Sequence, residues 1–186
     1  MRKIKVAINI TLDGFCDHTA VIADEELHKH FSKFYDTIDI DIMGRKTYEL
    51  MEGYWPLVAK TKDGPPYYVE FAEKLEQVEK YLVSNKRKKV TWNNSKIIHE
   101  NVIEEITKLK HQEGKDIAIG GPSLILSLTK AGLVDEFNFV IHPIVLGEGI
   151  RLFKDLEEII NLKLIKSDVF KSGAVSVEYK VTNKMQ

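Results

Sequence analysis

Cysteine is nearly absent from this chain: Cys16 is the only one in 186 residues. No intrachain disulfide framework and no multi-cysteine zinc site can form, a usage that fits a reducing cytoplasm. Net charge is lacking too, with 27 Lys and Arg against 28 Asp and Glu. Nothing global draws the chain to nucleic acid or to a membrane surface. No apolar run reaches membrane-spanning length. The N-terminus, Met1-Arg2-Lys3-Ile4-Lys5-Val6, enters an alternating pattern without the apolar core of a signal peptide. A cytoplasmic location is the expectation. Three familiar signatures are missing as well: G-x-G-x-x-G, the Walker lysine loop and the G-x-S-x-G elbow.

What is present reads as one globular α/β domain spanning residues 1–186, with 44% apolar and 30% charged residues. Ile4, Val6, Ile8 and Ile10 form a first strand, left through the Asp13-Gly14 turn. Asp24 is placed to cap a helix whose apolar face carries Leu27, Phe31 and Phe34. Asp39–Met43 is a second strand, and Gly44-Arg45-Lys46-Thr47 opens a helix directly after it. Residues 53–66 hold Trp55-Pro56 and Gly64-Pro65-Pro66 and read as a surface loop. A short helix over Tyr67–Gln77 and a strand over Lys80–Ser84 follow, then the basic tract Asn85–Lys89. Lys96–Ile98 is a strand. Asn101 and Glu104 have capping-box spacing before Val102, Ile106 and Leu109. Asp116–Ile119 is a strand broken by Gly120-Gly121, and the next helix places Leu124, Leu128 and Ala131 on one face before Gly132 stops it. Strands at 136–141, 162–167 and 175–181 close the chain, the last two as a hairpin.

Alternating strands and helices followed by strands alone predict a mostly parallel, doubly covered sheet with an antiparallel C-terminal edge. Ligands bind such sheets at the carboxyl ends of the strands. Gly44, Ser84 and Gly120 all fall there. Glycines without Cβ atoms followed by a helix N-terminus make an anion site, because unpaired N–H groups and the helix dipole face the ligand. An ordinary tight turn explains Gly120-Gly121 equally well. His28 and His30 point to different faces of their helix, so no metal site is expected and both read as surface residues. Cys16 reads as a buried or incidental thiol rather than a nucleophile. The Lys86–Lys89 run lacks the aromatic platform of a nucleic-acid site.

Several motifs resemble a known group. Ile42-Met43-Gly44-Arg45-Lys46-Thr47-Tyr48-Glu49 resembles the phosphate-binding segment of dihydrofolate reductases. Four further stretches resemble the reductase domain of the bifunctional riboflavin-biosynthesis deaminase/reductase, in order along the chain. They are Ile10–Phe15, Ile119-Gly120-Gly121-Pro122-Ser123, Lys130–Glu136 and His142–Phe153. Trp92-Asn93-Asn94-Ser95 is similar to stand-alone bacterial members of this dihydrofolate-reductase-like superfamily.

The resemblance implies a three-layer α/β/α fold and an NADPH-dependent reductase acting on a small heterocycle. The nearest named activity is 5-amino-6-(5-phosphoribosylamino)uracil reduction in riboflavin biosynthesis. Gly44, Arg45, Lys46 and Thr47 would hold phosphate. Ser84, with Asn85, Lys86 or Arg87, would receive the adenosine ribose and its 2′-phosphate. Gly120, Gly121, Ser123 and Leu124 would line the pyrophosphate, with a cis Gly120–Gly121 peptide as in dihydrofolate reductases. The first-strand end from Ala7 to Asp13 would flank the nicotinamide. The resemblance also implies a homodimer, and the apolar segments Phe137–Ile141 and Ile144–Leu146 are the expected source of its interface. Two features differ from the relatives. Leu27-His28-Lys29-His30 lacks the carboxylate that holds a pterin, and no deaminase motif is present. True dihydrofolate reduction and nucleotide binding without turnover stay open as alternatives. Asp13 is the one acid near the cleft, either serving substrate or forming the polar half of its Asp-Gly turn.

Overall fold

Runs of β-branched residues build an eight-stranded sheet in the computed structural model, which describes residues 1–182. Six strands run parallel: β1 (Ile4–Thr11), β2 (Ile38–Gly44), β3 (Glu79–Val83), β4 (Ser95–Ile98), β5 (Asp116–Gly120) and β6 (Glu136–His142). β7 (Leu162–Val169) and β8 (Val175–Val181) form an antiparallel hairpin, and β8 lies against β6. The spatial order is β4-β3-β2-β5-β1-β6-β8-β7. Parallel neighbours need crossover connections, and helices supply most of them. These are α1 (Glu25–Tyr35), α2 (Arg45–Glu52), α3 (Trp55–Thr61), α4 (Pro66–Gln77), α5 (Val102–His111) and α6 (Pro122–Lys130). The architecture is the dihydrofolate-reductase-like three-layer α/β/α, mostly parallel with an antiparallel C-terminal edge.

The side-chain period of two sorts each strand between two cores. Ile4, Val6, Ile42, Ile117 and Ile119 pack with Ile106, Ile125 and Leu128 of α5 and α6. Met43 and Leu82 face the other way, against Tyr48, Phe71, Leu75 and Trp92. Leu27 of α1 joins Val140 there. Each fully buried Ile, Leu or Phe contributes roughly 1.5–3 kcal/mol relative to exposure. Two ionisable groups are sealed into this second core. Lys80 donates to the carbonyls of Leu75 (2.6 Å) and Val78 (2.9 Å), closing the C-terminal end of α4. Asp41, beside it in register, accepts from Tyr35 Oη at 2.6 Å.

Helix ends follow local chemistry in part. Asp24 caps α1 by accepting from Leu27 N at 2.9 Å. α6 ends in a Schellman motif: Gly132 at φ +65° donates to Thr129, and Leu133 donates to Leu128. Ala131 is exposed at that end, and Ile125 and Thr129 take the inner positions beside Leu124 and Leu128. The capping box at α5 does not form. Asn101 adopts φ +51° with no side-chain cap bond, and Glu104 pairs instead with Lys108 at 2.8 Å. The predicted loop over 53–66 contains α3, because Pro56 occupies its first turn, where a fixed φ fits and no N–H is needed.

Phe137–Ile141 supplies no spare apolar surface. It is the interior of β6, held between β1 and β8, with Phe137, Phe139 and Val140 at most 6% exposed. In the second expected segment, Ile144–Leu146, Val145 is 72% exposed, and further exposed apolar side chains lie on the edge strand β7 at Leu164, Ile165 and Val169. Among the described residues no helix is long and apolar enough to cross a membrane.

Candidate functional site

Register brings three strand ends together. Gly44 of β2 lies beside Val83 of β3, the residue before Ser84, and Met43 lies beside Gly120 of β5. Glycine is required where these ends meet. Gly121 sits at φ +100°, and a Cβ there would come 2.9 Å from Thr47 Oγ1 and 3.5 Å from the Gly44 nitrogen. The Gly120–Gly121 peptide is trans, not cis. The turn bends through the positive φ of Gly121, a conformation that only glycine adopts freely.

Two helices start at this edge. α2 begins after Gly44 and α6 after Gly121, and neither has a side-chain cap or an acidic residue in its first turn. Their first N–H groups are therefore unpaired and face one edge, where the helix dipoles favour negative charge. Ser123 is exposed there, whereas Leu124 turns its side chain into the core, leaving only its backbone at the site. Thr47 is half-buried between the two turns. Arg45 pairs with Glu49 at 2.8 Å, an exposed contact of low strength.

Ser84 is buried, and its Oγ accepts from the backbone of Lys86 (3.2 Å) and Arg87 (3.1 Å), folding the basic tract over the strand end. His99 Nδ1 donates to the Ser84 carbonyl at 2.9 Å. Arg87 reaches Glu52 at 2.7 Å and lies over the Tyr48 ring. Asn85, Lys86, Lys88, Lys89 and Lys46 are exposed. Among the described residues these four lysines have no carboxylate partner. The edge is thus rich in unpaired donors and free cations.

β1 and β6 end beside it. Ala7 and Asn9 share one face of β1, and His142 closes β6. His142 is fully buried, with its Nε2 3.0 Å from Asn9 Oδ1. Asn9 lies within the Ala7–Asp13 segment expected to flank the nicotinamide, and His142 opens the His142–Phe153 motif, but the sequence assigns neither a role of its own; the available signal is a polar residue inside an apolar strand run.

The histidines of α1 are not surface residues. His28 is 8% exposed, and its ring meets those of Trp55, Tyr67, Tyr68 and Phe71 at centroid distances of 4.4–6.0 Å. Its Nδ1 donates to the Asp24 carbonyl at 2.8 Å, and burial lowers its pKa. His30 Nε2 lies 2.9 Å from Asn138 Oδ1.

The acids near α1 are all engaged elsewhere. Asp24 is the cap, Glu25 pairs with Lys29, and Glu26 accepts from the Lys171 backbone. Asp13 accepts from Thr11 Oγ1 (2.6 Å) and from the backbone of Leu146 (3.2 Å) and Gly147 (2.8 Å). The Thr11 bond and then the Gly147 bond hold its pKa down to about 2. An acid that is ionised at neutral pH has no proton to give, so the geometry favours its turn role. Burial pushes the Cys16 thiol up to about 11, which removes the thiolate that a nucleophile needs. A polar cleft of about 390 Å³ lies at the opposite, amino end of the sheet, between Ile38, Val78 and Lys115, and touches none of these groups.

Known proteins are similar to this chain in sequence or in fold. YyaP of Bacillus subtilis (strain 168) is 38% identical over 184 residues, covering 96% of this chain and 94% of that protein. A pyrimidine reductase-like protein from Corynebacterium diphtheriae superposes with a TM-score of 0.68 at 15% identity, over 98% of this chain and 92% of the other. Dihydrofolate reductase from Enterococcus faecalis gives a TM-score of 0.62 at 12% identity, over 97% of each. At those identities the two structures show a shared fold. The family model described as the RibD C-terminal domain matches residues 2–176. With its strand order, its glycine-edged site and that match in agreement, the chain belongs to the RibD C-terminal domain family.

Proposed function

We propose that the protein is an NADPH-dependent reductase that delivers hydride to a small heterocyclic substrate, nearest in type to 5-amino-6-(5-phosphoribosylamino)uracil reduction. One observation carries the reading. Two uncapped helix N-termini and a glycine cradle that a Cβ would fill converge on adjoining strand ends, beside free lysines. The N–H groups at the starts of α2 and α6 bind the pyrophosphate, with Thr47 and Ser123 as hydroxyl partners. Lys86, with Lys46, Arg45 and Asn85, receives the 2′-phosphate above Ser84. Ala7 lies on the floor beneath the ring. NADPH supplies the hydride when bound, and the residues of the cradle position it.

NADPH should bind at least about tenfold more tightly than NADH at low salt, because the extra phosphate meets unpaired cations. The gap should narrow as salt shortens the screening length. Fluorescence titration of both cofactors at two salt concentrations tests this, and equal affinities at low salt would overturn it.

Dihydrofolate should be reduced weakly or not at all. The inner face of α1 presents Leu27, His28 and Phe31, with no carboxylate to anchor an amino-pyrimidine by a charge-assisted pair. Turnover near about 10 per second, typical of dedicated enzymes, would replace this reading with true dihydrofolate reduction. The engaged state of Asp13 favours a second reading, nucleotide binding without turnover. NADPH oxidation across pterins, aminouracil ribosides and simple carbonyls separates the two.

The protein is proposed to be a homodimer, with β7 as the contact. This strand has one neighbour, and Leu164, Ile165 and Val169 are 51%, 52% and 76% exposed. An unpaired, apolar strand edge favours pairing with a second copy. Light scattering should report a dimer at micromolar concentration and a monomer for Leu164→Lys. A monomeric wild type rejects the proposal.

A further inference from the structure

The aromatic box around His28 holds an acceptor that the phosphate cradle does not use. His28 lies in the first turn of α1, four residues past its cap Asp24. Its Nδ1 is 2.8 Å from the Asp24 carbonyl, which can only accept, so Nδ1 carries the proton. Burial lowers the imidazole pKa and keeps the ring neutral at pH 7. Nε2 is then a lone pair. It meets no donor among the described residues. Nor is it one of the fully buried polar atoms that lack a partner, so it opens to solvent, although the residue is only 8% exposed.

The walls of this opening are aromatic. Trp55 begins α3, Tyr67 and Tyr68 lie in the first turn of α4, and Phe71 follows one turn on. Trp55, Tyr67 and Tyr68 are half-buried. Tyr54 extends the same surface, 5.0 Å from Trp55 and 6.3 Å from Tyr68 between ring centroids. Chain direction puts this box at the cradle's end of the sheet. α1 starts where β6 ends, since the Ile22 N–H donates to His142 shortly before the Asp24 cap. α4 ends where β3 begins, over the buried Lys80, so its first turn stands at the carboxyl end of the strands. Trp55 and Phe71 pack in one cluster with Met43, whose backbone lies beside Gly120. The box and the phosphate cradle are therefore neighbours across β2.

A lone acceptor at the base of aromatic walls selects by chemistry. The electron-rich ring faces repel an anion. The acids at the start of α1 are engaged with Leu27, Lys29 and the Lys171 backbone, so none of them is free to balance a cation. What fits is a flat, uncharged ring that stacks on the walls and turns an N–H toward Nε2, leaving no buried charge behind. We infer that His28 Nε2 accepts a hydrogen bond from a ring N–H of the substrate heterocycle and so determines which heterocycles enter. The inference rests on the reductase reading above and adds the residue that reads the substrate. His28 holds the ring and takes no proton from it.

The test titrates 5,6-diaminouracil and 5,6-diamino-1,3-dimethyluracil, the same ring without its N–H groups, into wild type, His28→Phe and His28→Gln, with NADPH titrated alongside. Wild type should bind the N–H compound at least about tenfold more tightly than the methylated one. His28→Phe keeps a ring in the box and removes the acceptor. It should bring the two affinities together and leave NADPH affinity unchanged. His28→Gln places an amide oxygen at about the reach of Nε2 and should restore most of the preference, which a purely structural role would not do. A preference that survives in His28→Phe, or is missing from wild type, overturns the inference and leaves the cofactor reading standing. A wild type that fails to bind NADPH overturns the reductase reading on which the inference rests. A measurement on the wild type alone guards against misfolded variants. The His28 Nε2 nitrogen resonance should shift with 5,6-diaminouracil and hold still with the methylated compound, and no shift with 5,6-diaminouracil overturns the inference.

Discussion

Gly121→Val should abolish useful cofactor binding while leaving a folded but weakened protein. Two costs act together. The residue sits at φ +100°, where a β-branched side chain is strained, by about 1–3 kcal/mol. Its Cβ would also come 2.9 Å from Thr47 Oγ1 and 3.5 Å from the Gly44 nitrogen. Relief requires the starts of α2 and α6 to move apart, which misaims the N–H groups of both. NADPH affinity should fall at least about 100-fold. Gly44→Ala is the contrast, because its Cβ would meet Leu124 Cβ at 3.9 Å and the Gly120 carbonyl at 4.0 Å, ordinary contacts. That variant should melt like wild type. Thermal melts and NADPH titrations of both variants check the argument, and wild-type affinity in Gly121→Val would refute the cradle.

Lys80→Met should give the largest loss of stability, about 3 kcal/mol, from a buried ammonium removed beside a buried carboxylate. The carbonyls of Leu75 and Val78 lose their donor, and Asp41 loses the cation beside it. For a chain of this size the melting temperature should drop roughly 6–12 °C. The pH dependence carries a separate signature. Burial raises Asp41 to about 6, against opposing contributions from Tyr35 and Lys80. The unfolded value is near ~3.9. The native state thus holds this proton more tightly, and stability falls as pH rises through that window. Burial lowers Lys80 to about 8, below its unfolded value of ~10.4. From there upward the unfolded state binds more protons, so stability rises with pH. Urea titrations should show the alkaline rise in wild type and its absence in Lys80→Met. A rise that persists in the variant would assign it to another group.

The elements themselves were legible because local patterning sets them. Alternation in Ile4-Lys5-Val6 and the stops at Gly44, Gly120 and Gly132 act within a few residues, and the structure places strands and helix ends there. The pattern hides α3 for a local reason as well, since a proline in the first turn of a helix has the same local signature as a breaker.

The candidate site divides in the same way. Local patterning reveals strand–glycine–helix junctions at Gly44 and Gly120 and a basic tract, Asn85–Lys89, after the strand that ends at Ser84. That these ends adjoin follows from strand pairing, with Met43 in register beside Gly120 and Gly44 beside Val83. Strand pairing also makes Phe137–Ile141 interior and β7 the open edge. The pairing of Asn9 with His142, across 133 residues, and the aromatic box around His28 arise from packing between distant segments. Local sequence sets backbone conformation and which face is apolar. Which polar groups meet depends on strand order, and strand order follows from how all the apolar faces are buried at once.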